Sequence, residues 1–240
     1  NNGVAAGQIG QIAEDTGDEV TADGLSDGGL TIQVGTAAAS SVSASVDGSG
    51  AGQEDDSAFA KAAALNAASV PGLTVTATNS QTEATPFADV TLSSGTYDLT
   101  VNGTKVLSTS DDGVVSAEDV VSAINLNTGV TGVSATVDDV SGAITYNTND
   151  GRNITLQEEI TGGTGNGIDA ALADATGVTT RGNITLSAAE TIQLGGSQEA
   201  NIGFDDSQSI TVDDVTLSSI NVLDVAESNN TIKRIDSALT

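Results

Sequence analysis

The chain has 240 residues, with 33 acidic and only six basic side chains, for a formal net charge of −27 at pH 7. Histidine, cysteine, methionine and tryptophan are absent, and aromatics make up 2%. These counts remove imidazole bases, thiol nucleophiles, the usual zinc ligands and any disulfide framework. The charge argues against nucleic acid or an anionic lipid surface as a partner.

With so few aromatics, a core must be built from Val, Ile, Leu and Ala, and several small cores are expected rather than one large one. The opening `NNGVAAGQIGQIAEDTG` has no basic segment followed by an apolar run, so it is not expected to be a secretory signal. No apolar run reaches the roughly 18 residues of a spanning helix. A chain without any methionine reads as a piece or a processed product of a longer protein.

Leu30, Ile32 and Val34 alternate as a strand. `DDSAFAKAAALNAA` is Ala-rich and favours a helix. It runs through Leu65-Asn66 to a strand carrying Leu73, Val75 and Ala77. In `GTYDLTVNGTKVL`, Tyr97, Leu99 and Val101 alternate with Thr96, Asp98 and Thr100. Asn102-Gly103 then supplies the two positive-φ positions of a type I′ hairpin turn, and Thr104 to Leu107 return. After a polar loop at Asp111-Asp112-Gly113, Ser116 reads as an N-cap with Asp119 in capping-box spacing. Ala117, Val120, Val121 and Ile124 fall on one helical face, and Asn125 and Gly129 are expected to close the helix. Val133, Ala135 and Val137 then alternate. Ser141-Gly142 turns, Ile144 and Tyr146 continue, Asp150-Gly151 turns again, and Ile154 and Leu156 complete a strand meander.

Leu65-Asn66 corresponds to Ile124-Asn125, and Gly72-Leu73-Thr74 to Gly132-Val133-Ser134, a degenerate internal repeat of about sixty residues. A smaller echo links `GRNITL` (151–156) with `RGNITLS` (181–187). Further on, a short helix is expected over Ile168–Ala175. Strands are expected around Ile184–Leu186, Ile192–Leu194, Ile210–Val212 and Val215–Leu217. At the end, Val222, Val225, Ile232, Ile235 and Leu239 recur with heptad-like spacing, as in a helix packed against other helices.

Five acid pairs invite a calcium reading: Asp55-Asp56, Asp111-Asp112, Asp138-Asp139, Asp205-Asp206 and Asp213-Asp214. None follows the alternating acidic pattern of a compact calcium loop, so they read as solvated loops capping strands and helices. Glycoside hydrolysis by paired carboxylates lacks the aromatic platforms that bind sugar. A Ser-His-Asp triad cannot form without histidine. `GGTGNG` (162–167) is Gly-rich but has no Lys-Ser/Thr, so it reads as a loop. Asn153, Asn183 and Asn229 head sequons that matter only in a glycosylating secretory pathway. No catalytic, cofactor-binding or metal site is assigned, and no enzyme is expected.

`VSAINLNTGVTGVSATV` resembles the Ile-Asn motif of the variable central region of bacterial flagellins and of some hook-associated proteins. `DGRNITL` looks like the segment that follows it there. `GVTTRGNITLSAAETIQLGG` resembles the next recurrent flagellin segment, and `VLDVAESNNTIKRIDSAL` is similar to the start of the carboxy-terminal core helix. Together these cover residues 89–239, with 30–80 matching more loosely and 1–29 matching nothing. `ESNN` departs from the usual Ala-rich pattern, and the amino-terminal helix of the family is not recognisable.

The resemblance implies an α+β, mostly β fold: small antiparallel sheets, each with a short helix, repeated, plus a carboxy-terminal helical segment. It implies a connecting segment (1–24), two outer-domain repeats (25–88 and 89–177), a β segment completing the inner sheet (178–217) and the start of a core helix (218–240). It also implies an extracellular structural subunit of the flagellar filament that supports motility. Such a subunit self-associates through regions mostly outside this chain, without cofactor, metal, nucleic acid or membrane. The resemblance leaves surface glycans and a host receptor open. The alternative is a secreted, acidic, β-rich adhesin module with calcium-binding loops.

Overall fold

A computed structural model describes residues 10–110, 112–215, 228 and 231–235. In chain order the strands are β1 (Ala13–Thr16), β2 (Leu30–Val34), β3 (Ser40–Ser41), β4 (Thr74–Thr82), β5 (Val90–Val101), β6 (Thr104–Thr109), β7 (Gly113–Val115), β8 (Ser134–Val137), β9 (Ile144–Thr148), β10 (Ile154–Thr164), β11 (Val178–Thr180), β12 (Asn183–Ala188), β13 (Ile192–Gly196) and β14 (Ser209–Ile210). The α-helices are α1 (Ala58–Ala67), α2 (Ala117–Leu126) and the single turn α3 (Thr128–Thr131). The fold is α+β and mostly β, built from several small antiparallel sheets and few helices.

The chain forms two units. Unit 1 gathers Asn1–Ser45, Ala62–Thr76 and Ile184–Thr240, and unit 2 gathers Val46–Lys61 and Ala77–Asn183. The segment 25–88 is therefore shared between the units, with α1 and β4 each contributing residues to both. Contacts distant in sequence, rather than the sixty-residue echo, decide the grouping.

In unit 1, β13 pairs with β2 and β14, and β2 pairs with β3. Leu30, Ile32 and Val34 point inward as their alternation requires, with Ile192 and Leu194 opposite. Strand β1 pairs with β12 from Ala13↔Ala188 to Thr16↔Thr185. The strand expected at Ile210–Val212 shortens to Ser209–Ile210, and Val215 lies outside any strand.

In unit 2, the long strand β5 carries β10 on one side and both β6 and β7 on the other, and β11 lies beyond β10. Asn102 (φ 46°) and Gly103 (φ 76°) supply the two positive-φ positions that tighten the β5–β6 hairpin. Strands β8 and β9 form a second hairpin, and β9 also pairs with the end of β4. The expected meander is broken at this point: β10 joins β5, not β9. Gly151 (φ 77°) turns the chain between the two sheets. Tyr97, Leu99, Val101, Val120, Ile124, Val133, Ile144 and Tyr146, all fully buried, belong to one apolar cluster. Full burial of a side chain such as Ile124 is worth about 1.5–3 kcal/mol.

Helix α2 starts as its sequence requires. The Ser116 hydroxyl accepts from the Asp119 N–H, and the Asp119 carboxylate accepts from the Ser116 N–H. Its end differs from expectation. The helix runs to Leu126, Gly129 sits within α3, and the left-handed cap is Gly132 (φ 72°). No helix forms over Ile168–Ala175. There Asp169 and Asp174 bind the N–H groups of Ala171, Thr176 and Gly177, which favours turns over a helix.

At the carboxy-terminal end, residues 231–235 are helical. Ile232 and Ile235, expected to be buried, are 58% and 44% exposed, while Thr231 and Arg234 are buried. Val222, Val225, Leu239 and the expected strand position Leu217 lie outside the described residues.

Candidate functional site

The densest polar bonding of unit 2 surrounds Asp150-Gly151-Arg152-Asn153. The turn at Gly151 brings Arg152 onto Asp150. Nε donates to Oδ1 at 3.0 Å and Nη2 to Oδ2 at 2.7 Å, while Nη1 donates to the Ala51 carbonyl at 2.9 Å. Burial pushes the Asp150 carboxyl up, but the Arg152 bonds and charge outweigh it and hold it below the usual aspartate value. Asn153 donates to Asp56 at 2.8 Å and Glu54 at 3.2 Å. Asp56 also accepts from Arg181, with Nη2 at 2.5 Å and Nε at 2.9 Å. Asn79 donates to the carbonyls of Arg152 and Thr180, both at 3.1 Å. These side chains bind one another and the backbone of their own chain, which pins a loop to a strand end.

A second cluster lies in the core of unit 2. Glu83 and Glu158 are only 4% and 8% exposed. Glu83 accepts from the Tyr146 hydroxyl (3.0 Å) and the Ile144 N–H (2.9 Å). Glu158 accepts from the Tyr97 hydroxyl (2.7 Å) and the Ile168 N–H (3.1 Å). Burial raises both carboxyls above the ordinary glutamate value, their donors oppose it, and the charge of Glu83 raises Glu158 further. Burial and the adjacent carboxylates push both tyrosines up as well.

Buried acids with raised pKa are a common mark of acid–base sites, provided a substrate can reach them. Clefts open to solvent lie elsewhere among the described residues. One of about 290 Å³ lies among Leu92, Leu107, Asp112, Val114 and Asp119. A smaller one of about 160 Å³ lies among Asp15, Asp18, Phe204, Asp205 and Gln208. Neither of these two is lined by Glu83 or Glu158, whose carboxylates accept from the tyrosine hydroxyls and from backbone N–H groups.

In unit 1, Arg234 is 3% exposed. Its guanidinium donates to the Gly10 carbonyl (3.1 Å), the Val215 carbonyl (2.8 Å) and both carboxylate oxygens of Asp213. Asp213 and Ile12 pair through their backbone, and Lys233 reaches Glu14 at 2.5 Å. The first and last described stretches are thus tied together. Arg234 holds Asp213 below the usual aspartate value against a smaller opposing effect of burial.

The acid pairs do not converge. Asp56 binds Arg181, Asp112 accepts from the Ser94 N–H, Asp138 closes the turn at Ser141, and Asp213 binds Arg234. The side chain of Gln208 caps the Asp205 N–H. Asp111 lies outside the described residues. Among the described residues, no three His, Cys, Asp or Glu side chains are grouped so as to hold a metal ion. `GGTGNG` ends β10 and enters a turn rather than a helix. Of the sequon asparagines, Asn153 is buried with its amide nitrogen bonded to Asp56 and Glu54, Asn183 lies in β12, and Asn229 is outside the described residues.

No protein-family model matches this chain, and no curated protein does. The likeness to flagellin therefore stands on the motif segments themselves.

Sequence reading missed the buried acids, although one signal was present. Ile154, Leu156 and Glu158 share the inward phase of β10, so the alternation itself places a carboxylate in the core. Arg234 carried no comparable signal, because its partners lie 19 to 224 residues away.

Proposed function

We propose that this chain is the central region of a flagellin: a structural, non-enzymatic module displayed on an extracellular filament, with self-association left to flanking regions. The observation that carries this reading is the Arg234 clamp, which ties Gly10 to Asp213 and Val215. A displayed region inserted between two core helices needs its entry and exit strands held together, and a buried guanidinium bonded to both does this. The exposed Ile232 and Ile235 on the helical stretch 231–235 also suit a helix whose apolar face is covered by something else.

The polar side chains clustered around Arg152 and Arg181 bond to one another and to the backbone of their own chain, as expected of scaffold. The absence of cysteine suits export of an unfolded chain through a narrow channel, and the net charge of −27 suits a soluble exterior. The test is reassembly. The full-length protein, dissociated to monomer and seeded with filament fragments, is expected to pellet as filaments, and removal of residues 46–183 is expected to leave assembly intact. Failure of the full-length protein to assemble under any seeding would overturn the reading.

A further inference from the structure

Asparagine precedes glycine at Asn2, Asn102 and Asn166; the first lies outside the described residues. At such a pair the backbone nitrogen of glycine can attack the asparagine side-chain amide, since no Cβ on the glycine hinders the approach. The fold treats the two described pairs differently. Asn102 Nδ2 donates to the carbonyls of Thr131 and Asn153, both at 3.0 Å, and its Oδ1 accepts from the Thr155 N–H at 2.8 Å. The β5–β6 ladder closes directly against this turn, at Val101↔Thr104. Asn166 is exposed in the loop after β10, and its side chain has no hydrogen bond among the described residues.

We propose that Asn166 is a modification site, at which the folded chain converts a side-chain amide to a carboxylate. The Gly167 nitrogen bonds to Asn166 Cγ and loses its proton, and the side-chain nitrogen departs as ammonia, leaving a succinimide. Water then opens one of the two ring carbonyls. One opening gives aspartate, and the other gives isoaspartate, in which the main chain runs through the former side chain. Only water is consumed, and no electrons change hands.

The Gly167 N–H donates to the Ala88 carbonyl at 3.1 Å, so this contact must open before attack. The Ala88–Gly167 bridge lies just past the end of the β5–β10 ladder, whose last pair is Thr91↔Thr164, so opening it is a local fraying of the ladder end. At Asn102 three hydrogen bonds must break at the reacting amide itself. The product has a consequence in the core. Isoaspartate lengthens the backbone just before Gly167 and Ile168, and the Ile168 N–H is held by the buried Glu158 carboxylate. Space there is short, since a Cβ on Gly167 would lie 2.2 Å from Glu158 Oε1. Conversion at Asn166 therefore loosens the Glu158–Tyr97 pair.

The experiment is peptide mapping by mass spectrometry of the chain incubated at mildly alkaline pH, folded and in urea, with isoaspartate scored by enzymatic methylation. In the folded protein Asn166 is expected to convert at least about tenfold faster than Asn102, from the difference in hydrogen bonds to be broken. In urea the two rates are expected to converge, and Asn166→Gln should remove the Asn166 signal. Equal rates in the folded protein, or faster conversion at Asn102, would overturn the proposal. A preference for Asn166 that persists unchanged in urea would also overturn it, because local sequence rather than the fold would then be responsible.

Discussion

Asn125 forms both backbone hydrogen bonds of Ala135: its Nδ2 donates to the Ala135 carbonyl and its Oδ1 accepts from the Ala135 N–H, each at 2.8 Å. The side chain acts as a short piece of neighbouring strand and fastens α2 to β8. In the earlier echo of the motif, Asn66 makes one comparable bond, to the Val75 carbonyl at 3.3 Å. Ala135 is buried, so removing the amide leaves a buried donor and a buried acceptor without partners. Asn125→Ala is expected to cost about 2–4 kcal/mol, and Asn66→Ala about 1 kcal/mol. Urea denaturation of the two variants checks this order, and an equal loss in both would contradict it.

Gly132 and Gly103 both have positive φ, 72° and 76°, but their surroundings differ. A Cβ on Gly103 would meet nothing within 4 Å, whereas one on Gly132 would lie 2.1 Å from Arg152 Nη1. Gly103→Ala should cost only the left-handed backbone penalty, about 1–2 kcal/mol. Gly132→Ala should cost a further 1–3 kcal/mol or so, because the guanidinium must give up bonds to Asp150 or Ala51. Thermal melts of the two alanine variants compare these costs directly.

The buried acids set the direction of the pH response. Glu83 and Glu158 have raised pKa values, so the folded state takes up protons more readily than the unfolded chain. Stability is therefore expected to rise as the pH falls from neutrality through their raised values, levelling near the ordinary 4.5. Asp150 and Asp213, held low by arginine, and Asp119, held low by Ser116, act in the opposite sense. Their contribution is complete above the ordinary 3.8 and is lost as the pH falls through their lowered values. The melting midpoint should peak in mild acid. Glu83→Gln combined with Glu158→Gln should flatten the limb between that peak and pH 7, by about 1.4 kcal/mol per unit of raised pKa removed. An unchanged limb in the double variant would show that general charge repulsion alone drives it.

Salt should stabilise the chain. With a net charge of −27, repulsion outweighs the attraction in the five described ion pairs. Raising the salt to about 1 M shortens the screening length to about 3 Å and removes most of that repulsion. The melting midpoint is expected to climb steadily with sodium chloride, and calcium at equal ionic strength should add little. A large calcium-specific rise would favour the adhesin reading.

Much of unit 2 was legible because its signals are local. The Tyr97–Val101 alternation, the Asn102-Gly103 turn and the Ser116–Asp119 box each act within a few residues. The end of α2 was misread because Asn125, a plausible helix terminator by type, is claimed by Ala135 ten residues on. The helix expected at Ile168–Ala175 failed for a related reason. Its alanines favour a helix, but Asp169 and Asp174 bind nearby N–H groups and hold turns. The joining of β10 to β5, the two-unit grouping and the Arg234 clamp depend on contacts far apart in sequence, which no local pattern encodes. For the candidate site, sequence indicated that catalysis by histidine or cysteine was out of reach. It did not indicate where Arg152, Arg181, Glu83 and Glu158 would find their partners.

The central claim, surface display on a filament, is tested most directly by labelling intact filaments of the source cells with gold-conjugated antibody raised against this 240-residue chain. Continuous decoration along the filament shaft is the predicted result. Labelling confined to the cell envelope, with bare filaments, would contradict the account.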